Sequence, residues 1–406
     1  MEMWVYVLRR ALLVIPVVIG VMTILFLMVN TLPVPSRIES FYPPARGGVP
    51  PWVPTEPCSG HANETCPNPL YQQAIRALGL NKPVPEQWAL YMYKSLTFQW
   101  GYTNNASSVV NSIPALRYQP VTSVLAWFLP YTLELAALAL LLTIVISMPL
   151  GRLSAVYRNR PVDHASRLMS FSGYALPAFL LGSLALYGAV VAFGAAGHSR
   201  ICPGDPALDD FYGSWPYPPC ATLLGSNVNQ FGYPSWLING FQSTPTGFPT
   251  IDAAYHGEWL LALDTLLRML IPALVIAYGT VAILLRYVRN SMLEVMNLDF
   301  VRTARANGLD EGTVVRRHAG RNSMNVTITV MGLTFASFIG GFPVIEDVFH
   351  LWGVGRLLAL SLQETNGGFD FGLIFGSTLL FTFIIVAANI IVDVLYAYLD
   401  PRVRLQ

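Results

Sequence analysis

Between two long apolar runs, residues 299–322 read DFVRTARANGLDEGTVVRRHAGRN, with five arginines and a glycine, Gly308, closing the first helical stretch. Four cysteines, Cys58, Cys66, Cys202 and Cys220, form a second group able to do chemistry, and Glu134 and Asp393, acids inside otherwise uncharged runs, form a third. None of these points to catalysis. His164, His318 and His350 are isolated, and neither HExxH nor Gly-x-Ser-x-Gly occurs. Lys82 and Lys94 are the only lysines and neither follows a glycine, so the chain carries no P-loop. We expect no enzyme activity and no metal centre. His61 between Cys58 and Cys66 is the sharpest metal alternative, but its spacing matches no usual zinc pattern.

The elements that hold these groups follow from composition. Hydrophobic residues make up 53% of the 406 positions and charged residues 12%, against about 25% charged in ordinary soluble domains. Six stretches are long enough to cross an apolar layer, which takes roughly 20 helical residues: Ala11–Leu32, Trp127–Leu150, Leu168–Ala196, Met269–Leu285, Met324–Ile345 and Phe371–Tyr398. The expected fold is an all-α polytopic membrane protein with six transmembrane helices. Basic residues favour the cytoplasmic side. With both termini inside, 15 of the 24 fall on inner segments: Arg9 and Arg10, four in 152–167, seven in 286–321, and Arg402 with Arg404. The first run is too long for a cleaved leader and has no small-residue cleavage site, so it reads as a retained span.

This divides the chain into 1–32 (N-terminus and first span), 33–126 (external), 127–196 (second and third spans with their inner loop), 197–265 (external), 266–288 (fourth span), 289–323 (inner loop), 324–345 (fifth span), 346–370 (external) and 371–406 (sixth span and tail). The two large external regions are rich in Pro, Gly and aromatic residues, as in YPPARGGVPPWVPTEP, which predicts irregular, turn-heavy lobes. All four cysteines lie there, where disulfides are permitted. Three pairings exist, and the local one, 58 with 66 and 202 with 220, is expected. Asn63 and Asn105 open glycosylation sequons. Net charge of +1 gives no basic field for nucleic acid.

In the inner loop, Asp299 reads as an N-cap, Phe300–Asn307 as a short helix, Gly308 as its left-handed C-terminal cap, and Asp310 as the cap of a second helix from Glu311. Arginines beside spans also anchor topology and bind anionic lipid. That leaves the small residues Thr303, Ala304 and Gly308 unexplained, and they would admit close approach of another protein. A membrane-surface helix would want bulky apolar residues instead.

FVRTARANGL and RRHAGRN resemble the cytoplasmic "EAA" loop of ABC-importer permeases of the dipeptide/oligopeptide type, with Ala304 and Gly308 at the pattern's Ala and Gly. YVLRRALLVIPVVIGVMTILFLMV, LGLNKPVPEQWALYM, LPYTLELAALALLL, GGFPVIEDVFHLWGVGRLL and NIIVDVLYAYLDPRVRL are similar to other parts of that family. The resemblance covers most of the chain except 194–265 and part of 33–70. It implies a type I importer fold in which Arg302, Thr303, Ala304, Asn307, Gly308, Leu309 and Asp310 dock on an ATPase subunit. It further implies a second, different permease chain, two cytoplasmic ATPase subunits holding ATP and magnesium, an external substrate-binding protein, and no cofactor in this chain. Family substrates include dipeptides, oligopeptides, nickel complexes and oligosaccharides. Two departures stand out: Val326 where the family has a proline, and Leu351-Trp352-Gly353 in place of a W-P-G. The segment 194–265 reads as enlarged and suits contact with a binding protein.

Ser170, Ser172, Tyr174, Thr327, Thr334 and Ser337 could line a pathway, though Ser and Thr also pack membrane helices. Pro177 should kink the third span. Glu134 suits a structural hydrogen bond, and Asp393 an ion pair with Arg152 or Arg286. An ATP-independent transporter or channel would need more intramembrane acids than these two. A scaffold would explain the large loops but not the docking helix. Twenty-two arginines against two lysines, with disulfides and sequons, favour an archaeal source.

Overall fold

The computed structural model describes residues 3–44, 50–58, 61–104, 109, 116–194, 246–257, 259–323, 343–349, 351–363 and 369–399. Long apolar helices dominate. The first span runs as α1, Met3–Thr31, and leads into α2, Val34–Phe41. A hairpin of β1, Thr55–Cys58, and β2, His61–Pro67, is the sole sheet among the described residues. Then follow α3, Pro69–Leu78, and α4, Val84–Leu96. The 33–126 region is thus only in part the irregular lobe its composition predicts: the described residues of 42–54 form turns and bends, but α2, α3 and α4 are regular helices. Its prolines open helices rather than break them: Pro33, Pro69 and Pro83 sit at or next to helix starts, where a missing N–H costs nothing.

The second span is α5, Val121–Val156. The third is broken into α6, Pro161–Ala175, and α7, Ala178–Gly194. After α8, Pro249–Tyr255, the fourth span is α9, Trp259–Met296. Next come α10, Asp299–Ala306, and α11, which starts as Glu311–Thr313 and passes into π-helical turns over Val314–Ala319. A short helix at 343–348, then α12, Val354–Ser361, and the sixth span α13, Phe371–Leu399, complete the described elements. Most of the expected fifth span, with Val326, and most of 197–265 lie outside the described residues.

Among the described residues, four helices are long and apolar enough to cross a membrane, and α6 with α7 would be a fifth as a bent pair. That bend is 107° between Pro161–Gly173 and Ala178–Gly188, far more than a kink. Leu176, forced off helical geometry by the following Pro177, adopts φ −90° and ψ 122°. The fourth span outruns its apolar core at both ends because Trp259–Leu266 and Arg286–Met296 continue the helix beyond the run visible in the sequence.

Packing centres on α9 against α5 and α6, at glycines. A Cβ on Gly151 would stand 2.7 Å from Cβ of Val288, and one on Gly173 would stand 2.6 Å from Cβ of Ala282. Small residues allow close approach where lipid offers no hydrophobic driving force between helices. Hydroxyls add to it: buried Thr143 and Thr280 meet at 3.1 Å across α5 and α9, and partly buried Ser172 and Tyr278 meet at 2.5 Å across α6 and α9. Replacing Gly151 with Val should lower the thermal midpoint of the purified protein by several degrees, as overpacking costs about 1–3 kcal/mol. The same change at Gly20, where a Cβ meets nothing within 4 Å, should leave the midpoint unchanged in the same melting assay.

Candidate functional site

At one end of the bundle, α9 stops at Met296 and the chain turns into α10. Leu298 occupies the N-cap position without a side-chain bond, so Asp299 is not the cap expected of it. It is the first helical residue instead and reaches Arg302 at 3.4 Å; its charge still favours a helix start. The other end follows expectation. Gly308 is left-handed at φ +77°, Gly308 N–H donates to Arg305 C=O at 2.9 Å, and Leu309 N–H donates to Ala304 C=O at 3.4 Å, a paired closure of the last turn. Asp310 caps α11, its carboxylate accepting from Thr313 N–H at 3.3 Å.

The small face does not lie where the pattern of small residues suggested. Val301 and Ala304 are buried, packed with Ala155, Met292, Val295, Val314 and Ala319. Ala304 is small so that α10 can sit close to its own chain, not so that another protein can reach it. Arg302, Thr303, Arg305, Asn307, Gly308, Leu309 and Asp310 are exposed. Arg305 spans the turn and makes two bonds to Glu311, at 2.7 and 3.0 Å. That pairing holds the Glu311 carboxyl below its ordinary range and lifts the Arg305 guanidinium above its own. Two short helices are thus joined at a right-sized turn and present polar side chains outward on an apolar base.

The base is fixed by a residue that carried no signal in the sequence. Asp163, fully buried in the first turn of α6, accepts from Arg289 Nε at 2.7 Å and a second Arg289 nitrogen at 3.1 Å. It also accepts from Arg167 and from Ser154 Oγ, each at 2.7 Å, and from Asn159 N–H at 3.0 Å. Arg289 lies one turn before Met292, which packs beneath α10. The clasp ties the segment 152–167 to the end of α9 that carries α10. Two of the basic residues that set the expected topology are therefore also structural ligands of one carboxylate. Ser291 Oγ, donating to Ser323 C=O at 3.1 Å, binds the far end of α11 to the same helix.

Other expected residues fall elsewhere. Ser170 lines a cavity of about 670 Å³ with Arg158, Phe171, Arg286 and Asn290, although its hydroxyl donates to Ser166 C=O at 2.9 Å. The Tyr174 side chain, Thr327, Thr334 and Ser337 lie outside the described residues. Asp393 pairs with Arg10 at 3.4 Å, not with Arg152 or Arg286; α13 packs along α1, which brings the N-terminal arginine to it. Glu134 accepts from Thr250 N–H at 3.5 Å, the structural role expected. Cys66 is disulfide-bonded, and a disulfide sulfur cannot serve as the thiolate a zinc site needs. The side chains of Cys58 and Asn63, and all of Asn105, Cys202 and Cys220, lie outside the described residues.

At the opposite end, Glu346 is buried and accepts from Thr132 Oγ at 2.8 Å and Arg356 N–H at 3.1 Å. Val354 N–H donates to Thr132 Oγ at 2.9 Å. A Cβ on Gly355 would lie 2.8 Å from the Glu346 carboxylate, so the Gly-Val-Gly of 353–355 is a backbone cradle for one acid. A lone Glu ahead of a Gly-x-Gly was the only trace of it in the sequence.

The chain thus builds a short helix pair seated on the ends of two spans, closed by a left-handed glycine and braced by a buried acid. Over residues 147–405 the sequence matches the family of binding-protein-dependent transport system inner membrane components. The chain belongs to this family. Like other such permeases it is the membrane subunit of a binding-protein-dependent transport system. It is 34% identical over 351 residues to the probable D,D-dipeptide transport system permease protein of Escherichia coli, covering 86% of this chain and 89% of that one. It is 28% identical to the dipeptide transport system permease protein of Escherichia coli, with 98% of both chains covered. The oligopeptide transport system permease protein of Bacillus subtilis is 27% identical, with 98% and 99% covered. These relatives are bacterial and lend no support to an archaeal source.

Changing Asp163 to Asn should leave Arg289 and Arg167 facing a neutral amide in a buried site and destabilise the permease by roughly 3 kcal/mol. The loss should appear as faster hydrogen exchange in 152–167 and 286–296, measured by mass spectrometry. Unchanged exchange there would mean that the clasp does not hold the base.

Proposed function

We propose that this permease forms half of the translocation pathway of an ATP-driven importer of dipeptides or oligopeptides. The observation that carries this is the seated helix pair: α10 exposes Arg302, Thr303, Arg305 and the Gly308 turn while Val301 and Ala304 fasten it to α5 and α9. Two separate ATPase subunits, holding ATP and magnesium, close on nucleotide and press on this pair. The push reaches α9 and α5 through the cluster around Met292 and reaches α6 through Asp163. The chain itself is not an enzyme; hydrolysis belongs to the partners. Both termini and 289–323 are cytoplasmic, and the cysteine-bearing hairpin is external, where Cys58 is the natural partner of Cys66. A second, different permease chain completes the pathway, and an external binding protein delivers the substrate, with 197–265 the segment closest in composition to a contact surface. Peptide is favoured over oligosaccharide or a nickel complex because the relatives named above are dipeptide and oligopeptide permeases.

Purification of the complex in mild detergent from its native source should bring down two ATPase subunits and a second permease chain, identified by mass spectrometry. An ATPase-free assembly, reproduced in several detergents, would favour the ATP-independent transporter instead.

Within the complex, Gly308→Val should abolish substrate-stimulated ATP hydrolysis while assembly yield is unchanged. A β-branched residue resists the left-handed φ even though the space beside Gly308 is open. Gly308→Asn, which tolerates that φ, should keep most of the stimulation. Equal stimulation in Gly308→Val and wild type would remove the coupling role from this turn.

A further inference from the structure

Near the hairpin, two cations, Arg37 and Lys94, form no ion pair among the described residues, although Glu39 lies two residues from Arg37 on α2. Arg37 of α2 is 9% exposed; it donates to Asn30 Oδ1 at 3.1 Å and Gln87 Oε1 at 2.9 Å, and its Nε is buried with no hydrogen-bond partner. Lys94, in the last turn of α4, forms no ion pair among the described residues. Burial lowers the affinity of both for their protons, and no carboxylate offsets it. Compensation of the α4 dipole accounts for a lysine in that turn, but it does not account for Arg37.

Both side chains line a narrow cleft of about 60 Å³ whose other walls include Phe26 and Val29 of α1 and Phe375 and Leu379 of α13. A wider cavity of about 390 Å³ adjoins it and shares Lys94, Phe41 and Trp100. An apolar slot with a cationic wall, opening into a roomier space at a lysine, has the shape of a site for an anionic amphiphile.

Its depth points to the source of that amphiphile. Trp100 stacks on Phe383 with centroids 6.1 Å apart, and Phe98 lies 6.3 Å from the same ring. Phe383 is twelve residues into the apolar helix α13, about 18 Å along it at 1.5 Å per residue. Trp88 of α4 donates to Thr23 Oγ of α1 at 3.1 Å, well inside that helix. Tyr93, Leu96 and Phe98 are 62%, 59% and 62% exposed. The second half of α4 and the turn after it therefore lie against the spans, with Tyr93, Leu96 and Phe98 facing outward.

We propose that this cleft binds the phosphate of an anionic phospholipid, with Lys94 and Arg37 on the phosphate oxygens and the first chain methylenes over Phe26, Val29, Phe375 and Leu379. On the orientation given above, the lipid comes from the outer leaflet. Its presence would brace α1, α4 and α13 together.

The test is native mass spectrometry of the purified full assembly supplied with palmitoyl-oleoyl phosphatidylglycerol, the matching phosphatidylcholine, or inorganic phosphate. Transport is not the readout, so failure here leaves the importer reading untouched. Phosphatidylglycerol adducts should survive in preference to phosphatidylcholine. Lys94→Gln should cut their occupancy about tenfold, the loss expected for one charge-assisted hydrogen bond, with an unchanged melting temperature. Phosphatidylglycerol should also slow hydrogen exchange in 84–100 of the wild type only. Arg37→Gln should act in the same direction; if that variant does not fold, the less deeply buried Lys94 decides the matter. Equal retention of the two lipids, or full phosphatidylglycerol occupancy in Lys94→Gln, would overturn the site. Retention of inorganic phosphate that displaces the lipid would make it a free-phosphate site and overturn the lipid assignment.

Discussion

A carboxylate in a protein interior is costly unless its charge is met, and Asp163 is met from four directions. Arg289 and Arg167 neutralise it, Ser154 and the Asn159 amide fill the remaining lone pairs, and no part of it reaches solvent. Those donors come from α5, the turn after it, α6 and α9. The three helices that pack through Gly151 and Gly173 are thus also fixed in register at one end, and α10 is seated on that fixed end. Without the clasp, the helix pair would rest on three helix ends free to slide; with it, a displacement of α10 has to move them together. The close-packed interior around Met292 transmits such a displacement rather than absorbing it.

The opposite end is organised by acids of a different kind. Glu346 gathers the Gly-Val-Gly turn, Asp370 caps α13 and accepts from Asn104 N–H, and Asp252 collects the amides of Thr246 and Gly247. Each satisfies backbone donors in a chain reversal close to the spans. Unpaired donors at such depth have no water to turn to. Arginines gathered on Asp163 and buried turn-capping acids divide the scarce charge of this chain between a helix clasp at one end and loop geometry at the other.

Apolar length was the most legible feature of the sequence. Span six coincides with the expected run to within one residue, and spans one, two and four cover theirs to the same margin but continue as helix past them, because a hydrocarbon layer dictates only the apolar length. The helix pair was legible too, since Gly308 and Asp310 are local signals with local geometry. Less legible were the features that depend on partners distant in sequence. Nothing near Asp163 announces Arg289, 126 residues on. Ala304 looked like a docking surface because smallness has two uses, and only packing shows which applies. Asp393 was assigned the wrong arginine for the same reason: charge pattern names the sign of a partner but not its address. Proline was legible at one site and not at others: Pro177 bends the third span as its position predicts, though by 107°, while Pro33, Pro69 and Pro83 open α2, α3 and α4 in a region whose composition predicts turns.

The π-helical turns at Val314–Ala319 carry a further consequence. Such a segment closes its hydrogen bonds over five residues rather than four, so it behaves as a reservoir of one residue of slack within α11, between the Asp310 cap and the helical residues after Ala319. Loss or gain of a residue there can be taken up by a change of winding. The same change within Asp299–Ala306 would rotate the exposed face by about 100°, the angle of one helical step. Evolutionary tolerance along this loop should therefore be sharply uneven: indels accommodated after Thr313 and excluded before Gly308, with the boundary falling at the turn.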